Sequence, residues 1–364
     1  MPSAEISKSV EVVGWAEEQG RRDEMEDGFV FVDCFGDDVQ SAYLAVYDGH
    51  GGRETVDFLA ANLHEKLLAE MRKAKEVSVP DALTAAFKDA DETLRDQLKV
   101  NQSGATACVV FQTREGGRAS GGGGTSSEEG RVGGHRVLYC AHVGDTRAVL
   151  CHGGVAVRLT CRSDHKASDL LEARRVTERG GKVVNERVEG MLAITRAFGD
   201  AQLKTPNTSG DFVSNEPSIK RWELGETDAF VIIACDGLWD VMSDETAVDL
   251  VLSAVEQLSI SLAVKIDGRD VADIACRMLV EEALARGTTD NVTVLIAFFN
   301  GQSSASASGS MPEHAMDRDG EEARLAPHPH QGAGRGGNAT ATGPLGGPVK
   351  ETAVPGVERG KEGA

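Results

Sequence analysis

Two apolar runs in this sequence end in an aspartate followed by a glycine. Tyr43-Leu44-Ala45-Val46-Tyr47 leads into Asp48-Gly49-His50-Gly51-Gly52, and Phe230-Val231-Ile232-Ile233-Ala234-Cys235 leads into Asp236-Gly237-Leu238-Trp239-Asp240. Asp145 follows Val143-Gly144, Asp290 stands just before a last apolar run, and Glu24-Met25-Glu26-Asp27 precedes Phe29–Val32. A strand holds its end rigidly, and a glycine there lets the backbone turn sharply and approach a ligand. A buried carboxylate is costly unless it is paired or binds a metal. Converging carboxylates suit hard cations, Mg²⁺ or Mn²⁺, in shells of oxygen ligands. A single Asp-Gly after a strand is an ordinary turn, so a metal site and a set of plain turns both stay open at this point.

Two further residues have the chemistry to handle a phosphate. Arg22 lies four residues before Glu26, and its guanidinium can hold a phosphate with two parallel hydrogen bonds. His50 lies two residues after Asp48, and an imidazole with an ordinary pKa near ~6.5 can act as a general acid at neutral pH. The bland alternatives are a surface arginine and a turn histidine. The other eight histidines, His142 among them, are read that way.

These residues need strands and helices to hold them. Val56, Leu59, Ala60, Leu63, Leu67 and Met71 line one helical face, Leu83, Phe87, Ala90, Leu94 and Leu98 a second, and Val271, Ile274, Ala275, Met278 and Leu279 a third. Ser243, followed by Asp244 and Glu245, reads as the cap of a fourth helix. Short apolar runs predict strands over 29–32, 43–47, 107–111, 137–143, 147–150, 155–159, 230–235 and 292–299, several separated by only a few residues. Close spacing favours antiparallel hairpins, and clustered helices point to α+β rather than to a doubly wound parallel sheet.

The motifs, taken in order, resemble the metal-dependent serine/threonine protein phosphatases of type 2C. The matching stretches are Arg22–Asp27, Asp48–Gly52, Ser103–Ala107, Val143–Arg147, Asp164–Lys166, Leu192–Asp200, Asp236–Asp240 and Asp290–Thr293. The resemblance covers about 11–299. It implies a four-layer α-β-β-α sandwich, in which two central antiparallel sheets are flanked by helices and a two-metal channel lies between the sheets. Asp48 would bridge both Mg²⁺ or Mn²⁺ ions. Asp236 and Asp290 would hold one, and Glu26 with the Gly49 carbonyl the other. Asp145 and Asp240 match positions of a third, weaker metal. Arg22 would bind the phosphate and His50 would protonate the leaving serine or threonine oxygen. Hydrolysis would proceed through a hydroxide bridging the metals, with no phosphoenzyme, so none of the seven cysteines has to be a nucleophile.

Ala167 stands where this family often has proline, and Thr195 where serine is common; neither is a metal position. The stretch 168–190 matches the family's flap segment. Its wording over Asp169–Val176 is similar to fungal members that switch off stress-activated MAP kinases, which makes phosphorylated proteins, MAP kinases among them, the expected partners. Two other readings stay open: a non-catalytic module that sequesters a phosphoprotein, and a hydrolase of small phosphoesters.

Composition sets the outer bounds. The chain has 364 residues, 38 Lys+Arg against 58 Asp+Glu, and a formal charge of -20. Such a balance argues against generic nucleic-acid or anionic-membrane binding. No apolar run approaches the ~20 residues of a membrane span. The start, Met1-Pro2-Ser3-Ala4-Glu5, resembles neither a signal peptide nor a myristoylation site. Scattered cysteines with no CxxC pair suggest reduced thiols. A monomer in the cytoplasm, the nucleus or both is expected. Residues 301–364 hold 13 of the 42 glycines and 6 of the 10 prolines with no aromatic residue. This composition predicts a disordered tail. The glycine-rich stretch 114–135 reads as a long loop between neighbouring strands. The expected division is a short segment 1–10, a catalytic domain 11–300 and the tail 301–364.

Overall fold

The computed structural model describes residues 4–7, 9–73, 77–116, 134–204, 211–260 and 268–299. Most of the glycine-rich stretch (117–133) and the whole 301–364 tail lie outside the described residues.

Fourteen strands are found among the described residues, most of them in two antiparallel sheets. The first sheet runs in the order β1 (Ala4–Ile6), β2 (Val12–Glu18), β14 (Val292–Phe298), β13 (Asp228–Ala234), β7 (Arg147–His152), β8 (Val155–Arg158). The second runs β12 (Ser218–Glu223), β6 (His135–Val143), β5 (Gly104–Glu115), β4 (Ala42–His50), β3 (Gly28–Val32), with the two-residue β11 (Phe198–Gly199) also pairing with β5. A small ribbon joins β9 (Val183–Val184) to β10 (Arg187–Val188).

The central strands are apolar on both faces because each face meets a different layer. On β4, Tyr43, Ala45 and Tyr47 face a core shared with helices α1 (Glu54–Lys73) and α2 (Val79–Glu92). The alternate residues Ala42, Leu44 and Val46 face the other sheet. On β13, Phe230, Ile232 and Ala234 meet helices α5 (Asp244–Ile260) and α6 (Gly268–Ala285), while Val231 and Ile233 turn to the first layer's partner sheet. Period-two alternation thus serves two buried faces at once. The result is the expected α-β-β-α sandwich.

Local chemistry sets the helix ends. Ser78 Oγ accepts from the Asp81 N–H at 3.2 Å and caps α2, and Ser243 Oγ accepts from the Thr246 N–H at 3.2 Å before α5. The stripe Val56, Leu59, Leu63, Leu67 of α1 is fully buried. Two expectations shift. The second stripe does not reach Leu98: α2 ends at Glu92, a widened turn covers Thr93–Gln97, and Leu98 is exposed. A helix not foreseen, α3 (Leu170–Glu178), is capped by Asp169, whose carboxylate accepts from the Leu171 and Glu172 N–H groups. A short helix α4 (Asp236–Trp239) begins directly after β13. No helix among the described residues is long and apolar enough to cross a membrane.

Candidate active site

β4 carries Asp48 two residues before its end, β13 delivers Asp236 at the first position of α4, and the β6–β7 turn carries Asp145. Carboxylate oxygens of these three residues all lie within 4.8 Å of one another. Gly49 and Gly237 are required by close approach. A Cβ on Gly49 would stand 2.4 Å from the Glu26 carbonyl oxygen, and one on Gly237 1.9 Å from that of Asn291.

The electrostatics of this cluster are unfavourable throughout. Burial raises the Asp48 carboxyl well above the usual range, and the charges of Asp236, Asp27, Asp145 and Asp290 add to it. Burial, then Asp145, Asp240 and Asp290, push Asp236 up to about 8. Asp145 is raised as well, mainly by burial. Asp27, which no sequence motif singled out as a ligand, is almost fully buried, is raised to about 6, and has one oxygen, Oδ2, without a hydrogen-bond partner. Several carboxylates each disfavour the others' charge, and the donors are all oxygen. A hard divalent cation is the group that relieves both conditions, so the residues fit Mg²⁺ or Mn²⁺.

The other expected residues arrive by different routes. Glu26 accepts the Gly52 N–H on Oε1 at 2.6 Å, and its own N–H donates to Asn291 Oδ1 at 2.8 Å. Asn291 also donates through Nδ2 to the carbonyls of Gln19 (2.7 Å) and Glu24 (3.0 Å). Arg53 donates to the carbonyls of Met25 and Asp27, each at 2.7 Å. Asn291 and Arg53 therefore hold the 19–27 loop against the strand ends. Sequence reading missed that role, because side-chain-to-carbonyl ties leave no periodic signal. Arg22 is half exposed and its Nη2 lies 2.5 Å from Asp290 Oδ2, so the two expected roles meet in one ion pair.

Asp145 and Asp240, the positions expected for a third metal, are bridged by a lysine. The Lys166 ammonium stands between them, 3.2 Å from Asp145 Oδ2 and 3.1 Å from Asp240 Oδ1. Asp145 also groups with Asp48 and Asp236. The lysine offsets part of the negative charge and holds Asp240 at the rim, where its side chain is 61% exposed.

His50 Nε2 lies 2.9 and 3.0 Å from the two oxygens of Asp200. Burial opposes its positive form, but the hydrogen bond and charge of Asp200 outweigh this, and the imidazole pKa is raised. Asp200 belongs to a quoted motif, yet its partnership with a residue 150 positions away is a product of the fold alone.

A second group of ligand-type atoms also comes together. His142, Cys161 and His165 bring two ring nitrogens and a sulfur within 4.8 Å of one another, which linear spacing did not reveal. Here the atoms are engaged with neutral partners. His165 Nδ1 accepts from the Gly144 N–H at 3.2 Å, which puts its proton on Nε2, facing Ser218 Oγ at 2.9 Å. The Cys161 thiol donates to the Ser163 carbonyl at 2.6 Å, and His142 Nε2 accepts from the Cys161 N–H at 3.4 Å.

Cys235 lies beside the carboxylates, and burial, with Asp27, Asp48 and Asp236, raises its thiol well above the ordinary range, which disfavours a nucleophilic thiolate there. Cys108 does stand six residues before Arg114, the spacing used by cysteine-dependent phosphatases, but it lies within β5, fully buried, with its thiol pKa raised well above normal by burial.

Comparison with known proteins agrees with this geometry. The model of the protein phosphatase 2C family matches residues 12–292. The chain is 37% identical over 276 residues to Protein phosphatase 2C homolog 1 of Schizosaccharomyces pombe, covering 76% of this chain and 69% of that protein. It is 36% identical over 289 residues to Protein phosphatase 2C homolog 1 of Saccharomyces cerevisiae, covering 79% and 92%. Among solved structures, a Caenorhabditis elegans sex determining protein superposes with a TM-score of 0.62 at 28% identity, covering 79% of this chain and 64% of that one. A serine-threonine phosphatase 2C from Toxoplasma gondii shares the fold, with a TM-score of 0.63 at 21% identity and coverage of 82% and 98%. The chain belongs to the protein phosphatase 2C family and is a protein serine/threonine phosphatase.

Proposed function

We propose that this phosphatase hydrolyses phosphoserine and phosphothreonine at a site for two divalent cations. Asp48, Asp236 and Asp290 would hold one and Glu26, Asp48 and the Gly49 carbonyl the other. Asp27 lends buried negative charge behind them. Bound there, Mg²⁺ or Mn²⁺ would neutralise the phosphoryl oxygens and acidify a water enough for it to attack at neutral pH. The observation that carries this reading is the cluster of Asp48, Asp145 and Asp236, whose carboxylates lie within 4.8 Å of one another and are each made harder to ionise by burial and by neighbouring acids.

The chain's own groups supply the rest. Arg22, tethered through Nη2 to Asp290, keeps the remainder of its fork for a phosphate oxygen. His50 is held by Asp200 at Nε2, so Nδ1 is the nitrogen left to face the leaving oxygen and give it a proton. Lys166 ties Asp145, inside the cluster, to Asp240 at its rim, and a third cation there would have to displace its ammonium. The likeness of the Asp169–Val176 segment to fungal members supports signalling kinases, stress-activated MAP kinases among them, as protein substrates. The acidic chain and its thiol-bearing cysteines fit action in the cytoplasm or nucleus.

The test is phosphate release from a phosphothreonine peptide with EDTA, Mg²⁺ or Mn²⁺, in the wild type and in Asp236→Asn. Release that requires the metal and vanishes in the variant is expected. Release that persists in EDTA would overturn the metal assignment.

A further inference from the structure

Lys204 and Asp91 form an ion pair away from the carboxylate cluster, with side chains 0% and 2% exposed. A lysine with no exposed side chain is rare, and removing its charge from water is costly unless the pair does something in return. The contacts show what it does. Lys204 Nζ lies 2.6 Å from Asp91 Oδ1 and donates to the Ala197 carbonyl at 2.7 Å. The same Asp91 oxygen accepts the Gly199 N–H at 2.9 Å. Asp91, at the end of α2, thus clasps both ends of the short loop that carries Asp200.

That loop needs clasping. Asp200 is a non-glycine residue at φ +50°, in the left-handed region, a conformation that persists only where surroundings enforce it. Its N–H donates to the Ser103 carbonyl at 3.1 Å, and Phe198 packs on Phe87 of α2 with ring centroids 4.9 Å apart. The outcome is a carboxylate delivered with both oxygens on His50 Nε2. Among the described residues, neither Asp91 nor Lys204 makes a hydrogen bond to Asp48, Asp145 or Asp236.

We propose that Asp91 and Lys204 are positioning residues for His50: they fix the 197–204 loop so that Asp200 orients the imidazole toward the leaving oxygen. This rests on the general-acid reading of His50 given above. Proton donation matters when the leaving group is a serine or threonine alkoxide. It matters little for p-nitrophenolate, which departs without a proton. A residue that acts only through His50 should therefore affect the two substrates differently.

The experiment compares the double variant Asp91→Asn/Lys204→Met, which removes both buried charges together, with the conservative Asp91→Asn and the wild type. Expected for the double variant is a kcat on a phosphothreonine peptide lowered about 10- to 100-fold, against the ~10²–10⁴ that a general acid contributes in full. KM should hold, and kcat on p-nitrophenyl phosphate should change less than about 3-fold. Asp91→Asn, which keeps an oxygen to accept the Gly199 N–H, should recover most of the peptide activity. Equal losses on both substrates would mean a purely structural pair, and no loss on either would mean the clasp does not reach His50; each overturns the proposal. A second readout does not need turnover: the His50 Nε2–H proton resonance, protected by Asp200 in the wild type, should broaden into solvent exchange in the double variant. If the wild type hydrolyses neither substrate while that resonance still depends on Asp91 and Lys204, the fault lies in the phosphatase mechanism and not in the clasp.

Discussion

Asp48, Asp145 and Asp236 gather ligand atoms as tightly as His142, Cys161 and His165 do, within 4.8 Å in both groups. Proximity alone does not separate them. Charge does. The first group is built of acids, each made harder to ionise by burial and by its neighbours, with Lys166 offsetting part of that charge at Asp145 and Asp236. The second is neutral. Burial lowers the His142 imidazole to about 3 and the His165 imidazole well below its ordinary value, and it pushes the Cys161 thiol up to about 12. Its ring nitrogens and thiol proton are mostly spent on peptide groups and Ser218. A cation entering the first group relieves repulsion. One entering the second would have to break hydrogen bonds and displace the thiol proton, with the positive charge of Arg196 nearby. What marks a cation site is buried charge left unbalanced, not ligand atoms in contact.

The largest effect that can test this contrast is on turnover. Asp48→Asn or Asp236→Asn should lower metal-dependent phosphate release by about 10³-fold or more, a barrier change of about 4 kcal/mol. His142→Gln should lower it less than about 3-fold per folded molecule. Rates measured with saturating Mn²⁺ decide it. A reversed pattern would relocate the active centre.

Metal binding should also show in stability. An ion that binds only the folded chain adds about 2.7 kcal/mol at 100 times its Kd. Thermal melts of the EDTA-treated wild type should shift upward by several degrees with Mn²⁺. The shift should shrink sharply in Asp236→Asn and persist in His142→Gln. Equal shifts in both variants would show that Mn²⁺ stabilises the protein somewhere other than the carboxylates.

How far the sequence reveals the two groups follows from their geometry. The carboxylates sit at the ends of long apolar strands, so a run plus an acid marks each one, and the family motifs bring them into one list. The eight strands and four helices with strong period stand where the pattern puts them, to within a few residues. β12 is missed because Ser218–Glu223 is an edge strand with mixed polar residues on its outer side, and β2 because Gly14 interrupts its run where the backbone packs against Ala272. α3 is missed because two of its apolar residues, Leu170 and Leu171, are exposed, 84% and 77%, and the buried Val176 shares its inner face with the charged Glu172, so no apolar stripe forms. His142 comes from β6 and Cys161 and His165 from the loop after β8, and nothing in linear spacing links them. The same holds for Asp91 and Lys204, which are 113 positions apart.

The two groups should also respond to acid in a specific sense. A histidine with a depressed folded pKa stays neutral in the folded chain while the unfolded chain takes up a proton. Stability is therefore full above the unfolded value near ~6.5 and falls as pH drops below it, by up to about 1.4 kcal/mol per pH unit for one histidine, until the folded value is reached. For His142 that window extends down to about 3. Urea melts of the EDTA-treated wild type and His142→Gln should diverge in slope below ~6.5, with the variant losing less stability per pH unit. Parallel curves would mean that His142 titrates normally and that its surroundings are wet.

The smallest effect is expected at Cys161. Serine in its place keeps a donor for the Ser163 carbonyl but loses the larger sulfur 3.1 Å from His142 Nε2. One neutral hydrogen bond is kept and some packing is lost, so Cys161→Ser should change unfolding free energy by about 1 kcal/mol or less. Zinc content after equilibration with Zn²⁺ and dialysis should be the same in variant and wild type. The reason lies in the proton inventory: His165 presents an N–H, not a lone pair, toward the sulfur as long as Gly144 donates to Nδ1. A zinc ion would need that ring to exchange tautomers and the backbone N–H to go unpaired. Loss of one equivalent of zinc in Cys161→Ser would show that the rings do rearrange, and the distinction between charged and neutral clusters would then fail at the one place where the ligand types most favour a soft metal.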